Sequence, residues 1–383
     1  MLYYNILVTA ILFVLMLICF WNLWILRPRK YPRAANNDLP FVSVLVPARN
    51  EEHNIENILA SLLNQDYPHY EVIVLNDSSE DSTGTIISRL KQRHPELVVL
   101  QGKPLEKGWT GKCYACDQLY RAARGEFILF TDADTTHRSN SLRDSVAIAM
   151  NRNADMVTLF PAMTMKSFAE KLIMPLLWFT VMLLLPFYFV DKKGFVKFSI
   201  GIGPFMLFRR LAYEAIGGHA AVKSAIVEDV WLARKIKEHG MQLVVADGQE
   251  MLSVRMYRSL KEIWNGFSKN IFAGFEFSAF ALFSVNIMYF LLFFLPFLLF
   301  LIQLSCGLSF NFPLILLLAQ VLILFICRAA ISARFRLGVI STILHPLGAL
   351  SVPVIAVNSW RWIAGGKGAR WKGRTYLPDG EEK

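Results

Sequence analysis

Two aspartates, Asp132 and Asp134, stand two positions apart, directly after the mostly apolar run 126–131. In an extended backbone, side chains two positions apart point to the same side, so the two carboxylates would face one ligand. Carboxylate oxygens are hard ligands that suit Mg²⁺ or Mn²⁺, and these ions also bind phosphate groups. The spacing therefore predicts a metal site for a phosphate-containing substrate. The alternative is a solvated turn that carries two acids by chance.

The elements that would position these aspartates alternate between strands and helices. Short apolar runs predict strands at 41–46, 71–75, 97–100 and 127–131, and apolar residues at helical spacing predict helices at 52–64, 81–94 and 112–123. This order predicts an α/β fold with a mostly parallel sheet between helices, whose ligands lie at the carboxyl ends of the strands. Polar clusters at 49–52, 76–77 and 132–134 follow three of the predicted strands. We therefore expect these clusters to form one site.

The composition is too apolar for an ordinary soluble enzyme. Hydrophobic residues make up 54% of the 383 positions and charged residues 18%, below the roughly 25% charged residues of soluble domains. The net charge of +10 matches the basic flanks expected beside membrane spans, so we expect a lipid bilayer as partner and no nucleic acid. Cys113 and Cys116 form a lone C-x-x-C pair, which we interpret as reduced structural thiols because no second pair accompanies it.

Four regions follow from the hydropathy along the chain. They are an N-terminal transmembrane anchor at 1–26, a cytoplasmic catalytic domain at 27–275, a C-terminal membrane region at 276–363 and a basic tail at 364–383. Spans are predicted at 278–304 and 312–331, each long enough to cross a bilayer. The basic residues that follow the anchor predict a multi-pass protein of the cell membrane with its catalytic domain facing the cytoplasm.

Two further apolar segments are ambiguous. If residues 172–190 crossed the membrane, Asp134 and the later Asp229 would lie on opposite sides. We expect both aspartates to serve one active site, so we predict that this segment is interfacial or re-entrant. Residues 338–360 contain His345-Pro346, Gly348 and Pro353, and the sequence leaves open whether they span or form a re-entrant hairpin.

Seven landmarks in order carry a resemblance to a known family. They are 46–51 (VPARNE), 76–81 (NDSSED), 108–112 (GWTGK), 132–134 (DAD), 217–219 (GGH), 228–229 (ED) and 255–257 (RMY). The chain resembles inverting family 2 glycosyltransferases with an A-type nucleotide-sugar fold. More narrowly, it is similar to membrane-bound bacterial enzymes of carotenoid (diaponeurosporenoate) and hopanoid glycosylation. The resemblance covers residues 40–275 and the tail 371–376.

The resemblance implies a hexosyltransferase that uses a nucleoside diphosphate sugar, with UDP-glucose as the first choice, and Mg²⁺ or Mn²⁺. It implies that Pro47 and Ala48 border the nucleotide, and that the carboxylates of Glu51 and Asp77 bind the uracil or the ribose. The alternative for Glu51 and Asp77 is that they are acids favoured at helix N-termini.

The same resemblance assigns the diphosphate contacts. Lys112 follows a Gly-Trp-Thr-Gly turn and begins a helix, where an ammonium and backbone N–H groups can meet a diphosphate. A solvated lysine at a turn is the alternative. Asp132 and Asp134 would ligate the metal, with Asp134 as the more direct ligand.

The predicted chemistry at the acceptor depends on Asp229. The resemblance assigns it the role of the base that takes the acceptor proton, with Glu228 in support. The alternative is two acids at the start of the predicted helix 230–239. His219 would touch the donor or would be a packed histidine.

Four further residues occupy the region where polysaccharide synthases carry Q-x-x-R-W. They are Arg255, Tyr257, Arg258 and Trp264, and the pentapeptide itself is absent. Its absence favours the transfer of one sugar over polymer synthesis. The sequence leaves open which of the two arginines meets the diphosphate.

The sequence therefore predicts a membrane enzyme that moves one sugar, with inversion, to a lipid. A carotenoid or terpenoid acid or alcohol is the first choice of acceptor, and diacylglycerol, a ceramide-like lipid or a hopanoid is the alternative. From another class, a non-catalytic membrane scaffold with a glycosyltransferase-like domain remains an alternative. A transporter is disfavoured because the spans are few and lack midplane charges. The oligomeric state is left open.

Overall fold

The structure is a computed structural model that describes residues 2–305 and 311–376. These residues divide into two compact units. The helical unit comprises the residues up to Ile25, Met165–Phe187 and Tyr257–Ala369. The sheet unit comprises Leu26–Thr164, Tyr188–Met256 and the residues from Arg370 onward.

The described strands are β1 Val42–Ala48, β2 Tyr70–Asn76, β3 Val98–Gln101, β4 Phe127–Phe130, β5 Thr135–His137, β6 Met156–Phe160, β7 Ala162–Met163, β8 Met206–Arg209, β9 Leu243–Asp247, β10 Leu252–Val254, β11 Ala369–Trp371 and β12 Arg374–Tyr376.

The described helices are α1 Leu2–Ile25, α2 Ile55–Leu63, α3 Thr83–Arg93, α4 Gly111–Ala122, α5 Ser141–Asn151, α6 Phe168–Ile173, α7 Pro175–Leu184, α8 Phe187–Val190, α9 Arg210–Ala215, α10 Glu228–Glu238, α11 Leu260–Gly274, α12 Ala279–Phe293, α13 Leu295–Ser305, α14 Phe312–Arg334, α15 Val339–Ile343 and α16 His345–Ala364. Two short 3₁₀ helices cover Asn36–Asp38 and Gly218–Val222.

The central sheet of the sheet unit has seven strands in the order β3-β2-β1-β4-β8-β6-β9. The pairs among β3, β2, β1 and β4 are parallel, as is β6 with β9, whereas β8 runs antiparallel to both of its neighbours. This confirms the predicted α/β fold with a mostly parallel sheet. A smaller sheet has the order β5-β10-β7, and β11 and β12 form a two-stranded ribbon.

The core forms because the central strands are apolar on both faces and the helices beside them are amphipathic. On α2, the buried residues Ile55, Ile58, Leu59 and Leu62 repeat at helical spacing. They join a core that includes Val44 and Val46 of β1. The four predicted strands and three predicted helices of this region all occur, with ends that differ by three residues or fewer.

The strand register brings the predicted polar clusters to one edge. Ala48, the last residue of β1, pairs with Asn76, the last residue of β2. On the other side of β1, Leu45 pairs with Phe130, the last residue of β4. The loops that follow β1, β2 and β4 therefore begin side by side.

Three described helices of the helical unit are long and apolar enough to cross a membrane. They are Leu2–Ile25, Ala279–Ser305, which includes α12 and α13, and Phe312–Arg334. The chain is therefore a membrane protein, and its orientation stays a prediction.

Polar interruptions of the apolar helix α1 are explained by its packing. Gln320 of α14 donates to Asn5 O and Thr9 Oγ1, both at 3.0 Å. Asn22 donates to the carbonyls of Met182 and Leu185 at 2.8 Å. These bonds satisfy the amide N–H groups of Gln320 and Asn22 inside the helical bundle, whereas the buried side-chain oxygens of Asn5 and Gln320 have no hydrogen-bond partner among the described residues.

The ambiguous segments also form helices in this unit. The short helix α7 within 172–190 packs against α1 and α14, and its interfacial placement stays a prediction. Residues 338–360 form α15 and most of α16, which meet at Leu344. Helix α11 packs along α16, so the structure groups residues 257–275 with the helical unit, although the sequence boundaries placed them in the catalytic domain.

Candidate active site

The loop after β4 carries Asp132 and Asp134. A hydrogen-bond network around Thr131 fixes the start of this loop. Thr131 Oγ1 donates to Pro204 O at 2.8 Å and also lies 2.9 Å from His137 Nε2. Burial lowers the pKa of His137 to about 3, so this imidazole stays neutral. We call residues 131–134 the D-x-D loop. The network connects this loop to residue 204 of a second loop.

Lys112 connects the two acidic motifs of the site. Its Nζ atom lies 2.6 Å from Asp132 Oδ1 and 2.7 Å from Glu228 Oε1. Burial disfavours its charge, but the nearby carboxylates of Asp132, Glu228 and Asp229 outweigh that effect and raise its pKa well above the ordinary value. Lys112 therefore carries its positive charge at any physiological pH. As predicted, it lies in the first turn of a helix, α4.

Asp229 lies at the start of α10, beside Glu228. Its Oδ2 accepts a hydrogen bond from Gly203 N at 3.1 Å. Burial and the charge of Glu228 raise its pKa to about 6, although Lys112 acts in the opposite direction. A carboxylate with this pKa is ionised at neutral pH and is a stronger base than an ordinary aspartate.

The loop at 201–204 owes its close approach to two glycines. A Cβ atom at Gly201 would lie 2.0 Å from Asp229 O. At Gly203 it would lie 2.8 Å from Asp132 Oδ2 and 3.3 Å from Lys112 Nζ. Only glycine leaves the side chains of Asp132 and Lys112 in their observed places.

Asp134 combines a buried oxygen with a raised pKa. Its Oδ1 atom is buried and has no hydrogen-bond partner in the described part of the chain. Burial, Asp132 and Glu51 raise its pKa to about 7, and the charges of Lys112 and Lys372 oppose this shift. An unpartnered carboxylate oxygen beside a second carboxylate fits a divalent cation. No cluster of three or more His, Cys, Asp or Glu suited to a metal is found among the described residues.

The loops after β1 and β2 are held together by Arg49. Its Nη1 donates to Asp77 O at 2.8 Å and to Ser78 O at 2.9 Å. Asn50 and Ser78 both have positive φ, at 51° and 50°, and each turns the chain just beyond its strand. Pro47 and Ala48 end β1, where Ala48 O accepts from Asp77 N at 2.8 Å.

The structure pairs both predicted nucleotide-binding carboxylates with the tail. Arg374 forms a bidentate ion pair with Asp77, at 2.5 and 3.1 Å. Lys372 Nζ lies 3.1 Å from Glu51 Oε1 and donates to Asn50 O at 2.8 Å. The family resemblance extends to the tail 371–376, but it implied no role for Lys372 or Arg374.

Two further candidates, His219 and Arg255, have neighbours within the sheet unit. His219 is fully buried, with Nδ1 2.6 Å from Tyr213 Oη and its ring 4.6 Å from that of Phe130, as expected of a packed histidine. Burial and the charge of Lys112 lower its pKa to about 3. Arg255 N donates to Asp134 O at 3.3 Å. The donor contacts of these residues stay predictions.

Arg258 and Trp264 belong to the helical unit. Trp264, in α11, donates from Nε1 to Asn358 of α16 at 2.9 Å when the Asn358 amide oxygen faces the indole. Their contact with a donor stays a prediction.

A solved structure shares this fold. It is the mannosyltransferase PcManGT from Pyrobaculum calidifontis in complex with GDP-Man and Mn²⁺, which aligns with a TM-score of 0.54 and 19% identity over 95% of this chain and 99% of its own. At this identity the likeness shows the fold alone. The described residues therefore combine the fold of a solved glycosyltransferase with three helices that are long and apolar enough to cross a membrane.

The family follows from a sequence match over nearly the whole chain. The model of glycosyl transferase family 21 matches residues 4–380, and the chain belongs to this family. The assignment confirms the resemblance to family 2-like glycosyltransferases.

Two relatives share parts of the sequence. A β-monoglucosyldiacylglycerol synthase of Trichormus variabilis is 38% identical over 118 residues, 30% of this chain and 25% of that protein. A 4,4'-diaponeurosporenoate glycosyltransferase of Staphylococcus aureus is 27% identical over 239 residues, 61% of each chain. The chain thus spans a quarter of the first relative and about three fifths of the second. Both names refer to lipid-related acceptors.

Proposed function

We propose that this protein transfers one sugar, with inversion, from a nucleoside diphosphate sugar to a lipid at the cytoplasmic face of the cell membrane. The observation that carries the proposal is the position of Lys112 between Asp132 and Glu228, at 2.6 and 2.7 Å. One cation thereby joins the D-x-D loop to the acidic pair at the start of α10, where Asp229 lies. A phosphate-binding motif and a base are within one network.

The proposed reaction has one chemical step. The bond between the anomeric carbon and the phosphate oxygen breaks, and the diphosphate leaves with the electron pair. The acceptor oxygen forms the new bond from the opposite face, and its proton passes to Asp229. Lys112 offsets negative charge on the leaving diphosphate, since it stays protonated in this site.

Asp132 and Asp134 are the residues that would hold Mg²⁺ or Mn²⁺. A divalent cation bound there supplies further charge stabilisation to the diphosphate. The buried, unpartnered Oδ1 atom of Asp134 supports this assignment. The proposed donor is UDP-glucose.

Two acceptor classes are supported by the relatives. A carotenoid or terpenoid acid or alcohol is our first choice, because the match to the diaponeurosporenoate enzyme covers more of the chain. A diacylglycerol is the second candidate, because the shorter match to the monoglucosyldiacylglycerol synthase has the higher identity. A ceramide-like lipid or a hopanoid would use the same chemistry.

The test combines lipid analysis with an assay. Mass spectrometry compares the lipids of cells with and without the protein, and the glycolipid that disappears gives both sugar and acceptor. The purified protein is then assayed with that lipid and several nucleotide sugars, with and without Mn²⁺. Inertness with every donor under both conditions would support a non-catalytic scaffold and contradict the proposal.

A further inference from the structure

The tail ribbon, which we define as β11, β12 and the turn between them at residues 372–373, makes its described side-chain contacts at one edge of the central sheet. Lys372 contacts residues 49–51, in the loop after β1, and Arg374 contacts Asp77, in the loop after β2. In open α/β sheets, ligands bind outside the carboxyl ends of the strands. The tail ribbon is therefore beside the region where a ligand of this sheet would bind.

The pairing between Arg374 and Asp77 is a buried one. Asp77 is 5% exposed and Arg374 8% exposed, and both carboxylate oxygens accept from the guanidinium. A buried carboxylate without a cation loses its hydration with no compensation, which is strongly unfavourable. A bidentate guanidinium supplies the charge and fixes the plane of the carboxylate.

Lys372 is fixed more tightly than its partial exposure suggests. Its backbone carbonyl accepts from Arg49 Nε at 3.0 Å, and its Nζ contacts both Asn50 O and Glu51. Lys372 and Gly373 have positive φ, at 46° and 87°, the pattern of a type I′ hairpin turn. Lysine is less suited to positive φ than glycine or asparagine, so the turn keeps this residue at a conformational cost.

The contacts of Lys372 and Arg374 bring positive charge to a group of acidic loops. Glu51, Asp77, Asp132 and Asp134 all lie in the loops that follow β1, β2 and β4, and a nucleoside diphosphate is itself an anion. Lys112 supplies one cation at the D-x-D loop. Arg49, Lys372 and Arg374 supply three more at the other loops, two of them from the tail, and the charge of Lys372 extends to Asp134.

We propose that the tail ribbon forms a wall of the donor pocket, in which Arg374 is a positioning residue that orients Asp77 for the nucleoside and Lys372 binds the diphosphate. This inference rests on the proposed nucleotide-sugar donor and adds two residues to its site. Its rival is a tail that blocks the pocket and must leave before the donor binds. The number of contacts favours the wall, because undocking would break the bidentate Arg374–Asp77 pair together with the bonds of Lys372 to Arg49, Asn50 and Glu51.

The test measures binding of two probes to the full-length protein in lipid nanodiscs with Mn²⁺. UDP carries both nucleoside and diphosphate, whereas inorganic pyrophosphate carries only the diphosphate. Arg374→Gln should weaken UDP binding about tenfold, the scale of a lost charge-assisted hydrogen bond, and leave pyrophosphate binding within about twofold. Arg374→Lys should recover part of the UDP affinity. Lys372→Gln should weaken both probes.

The control is Arg93→Gln, which removes an exposed arginine charge from the last turn of α3 and should change neither affinity. Tighter UDP binding in Arg374→Gln or Lys372→Gln would contradict the proposal that the tail forms a wall of the pocket, and would support a tail that blocks the pocket. Unchanged affinities, or equal losses of both probes in Arg374→Gln, would also overturn the proposal. If Arg374→Gln fails to fold, Arg374→Lys and Lys372→Gln decide by the same criteria.

Failure of this inference is separable from failure of the proposed function. If the unmodified protein binds neither UDP nor GDP, the nucleotide-sugar proposal itself fails. If it binds UDP and the tail variants bind equally well, only the tail proposal fails.

Discussion

Gly203 leaves space for the side chain of Asp132: a Cβ atom at position 203 would lie 2.8 Å from Asp132 Oδ2. Gly203 N also donates to Asp229 Oδ2 at 3.1 Å. One residue therefore lies beside both the D-x-D loop and the proposed base, and a side chain at this position would displace Asp132.

Gly203→Ala should lower turnover about tenfold or more, because the added methyl group displaces Asp132 or Lys112 from the positions that hold the diphosphate. The melting temperature should fall by only a few degrees, since the nearest contacts are side-chain ends that can move. The measurement is kcat and KM for the donor. Gly274→Ala is the matched control, because a Cβ atom there meets nothing within 4 Å. A fully active Gly203→Ala enzyme would refute this role of the glycine.

Lys112→Met should destabilise the protein by about 1–3 kcal/mol, because Glu228 is 5% exposed as a side chain and would lose its cation. Adding Glu228→Gln removes the uncompensated charge, so the double variant should recover much of that stability without recovering activity. Thermal unfolding and donor turnover of the two single variants and the double variant check this. Additive losses of stability would show that the two side chains are not coupled.

Asp229→Asn should keep its affinity for UDP and lose at least about 100-fold in turnover on a hydroxyl acceptor, the usual scale of general-base catalysis. A carboxylate acceptor has no proton to lose at neutral pH, so the same variant should retain most of its turnover on that acceptor. The paired acceptors form the control. Full activity on the hydroxyl acceptor would remove Asp229 from the role of base.

The rate of the unmodified enzyme on a hydroxyl acceptor should depend on the pKa of about 6 at Asp229. The base works only when it is deprotonated, so kcat/KM should be level above pH 7 and fall about tenfold per pH unit well below pH 6. A pH–rate profile from 5 to 8 measures this. A flat profile down to pH 5 would contradict the assignment.

His137 should make the protein less stable in acid. Its pKa is lowered from 6.5 to about 3 by burial, so the folded state stays neutral while the unfolded state takes up a proton below pH 6.5. Stability from this group is present above pH 6.5 and declines toward pH 3, with a loss of about 2 kcal/mol at pH 5. Thermal unfolding at pH 7 and pH 5 should show a smaller pH effect in His137→Gln. His53→Gln, which replaces an exposed histidine, should behave like the unmodified protein.

The mostly parallel sheet could be predicted from the sequence because it depends on local patterns. The apolar run before Asp132 marks β4, and the alternation of strands and helices implies that most strands are parallel. The antiparallel insertion of β8 between β4 and β6 has no such local signal. The position of β8 depends on tertiary packing between strands that are distant in the sequence.

The ion pairs that organise the site were not predictable from spacing. Lys112 and Glu228 lie in separate helices, and Arg374 is 297 positions from Asp77. Single-sequence patterns contain no information on which distant charges meet. The available signal was the excess of acids in the loops after the strands, which required cations from elsewhere in the chain.

The contacts of the tail ribbon form late in biosynthesis. Residues 370–376 emerge from the ribosome after every helix of the helical unit, yet Lys372 and Arg374 pair with loops that were made before residue 80. Until the tail arrives, the carboxylates of Glu51 and Asp77 lack these two cations. A nascent chain whose membrane helices are still being made therefore lacks two residues of the proposed donor pocket, and an excised fragment such as 27–275 would lack them as well.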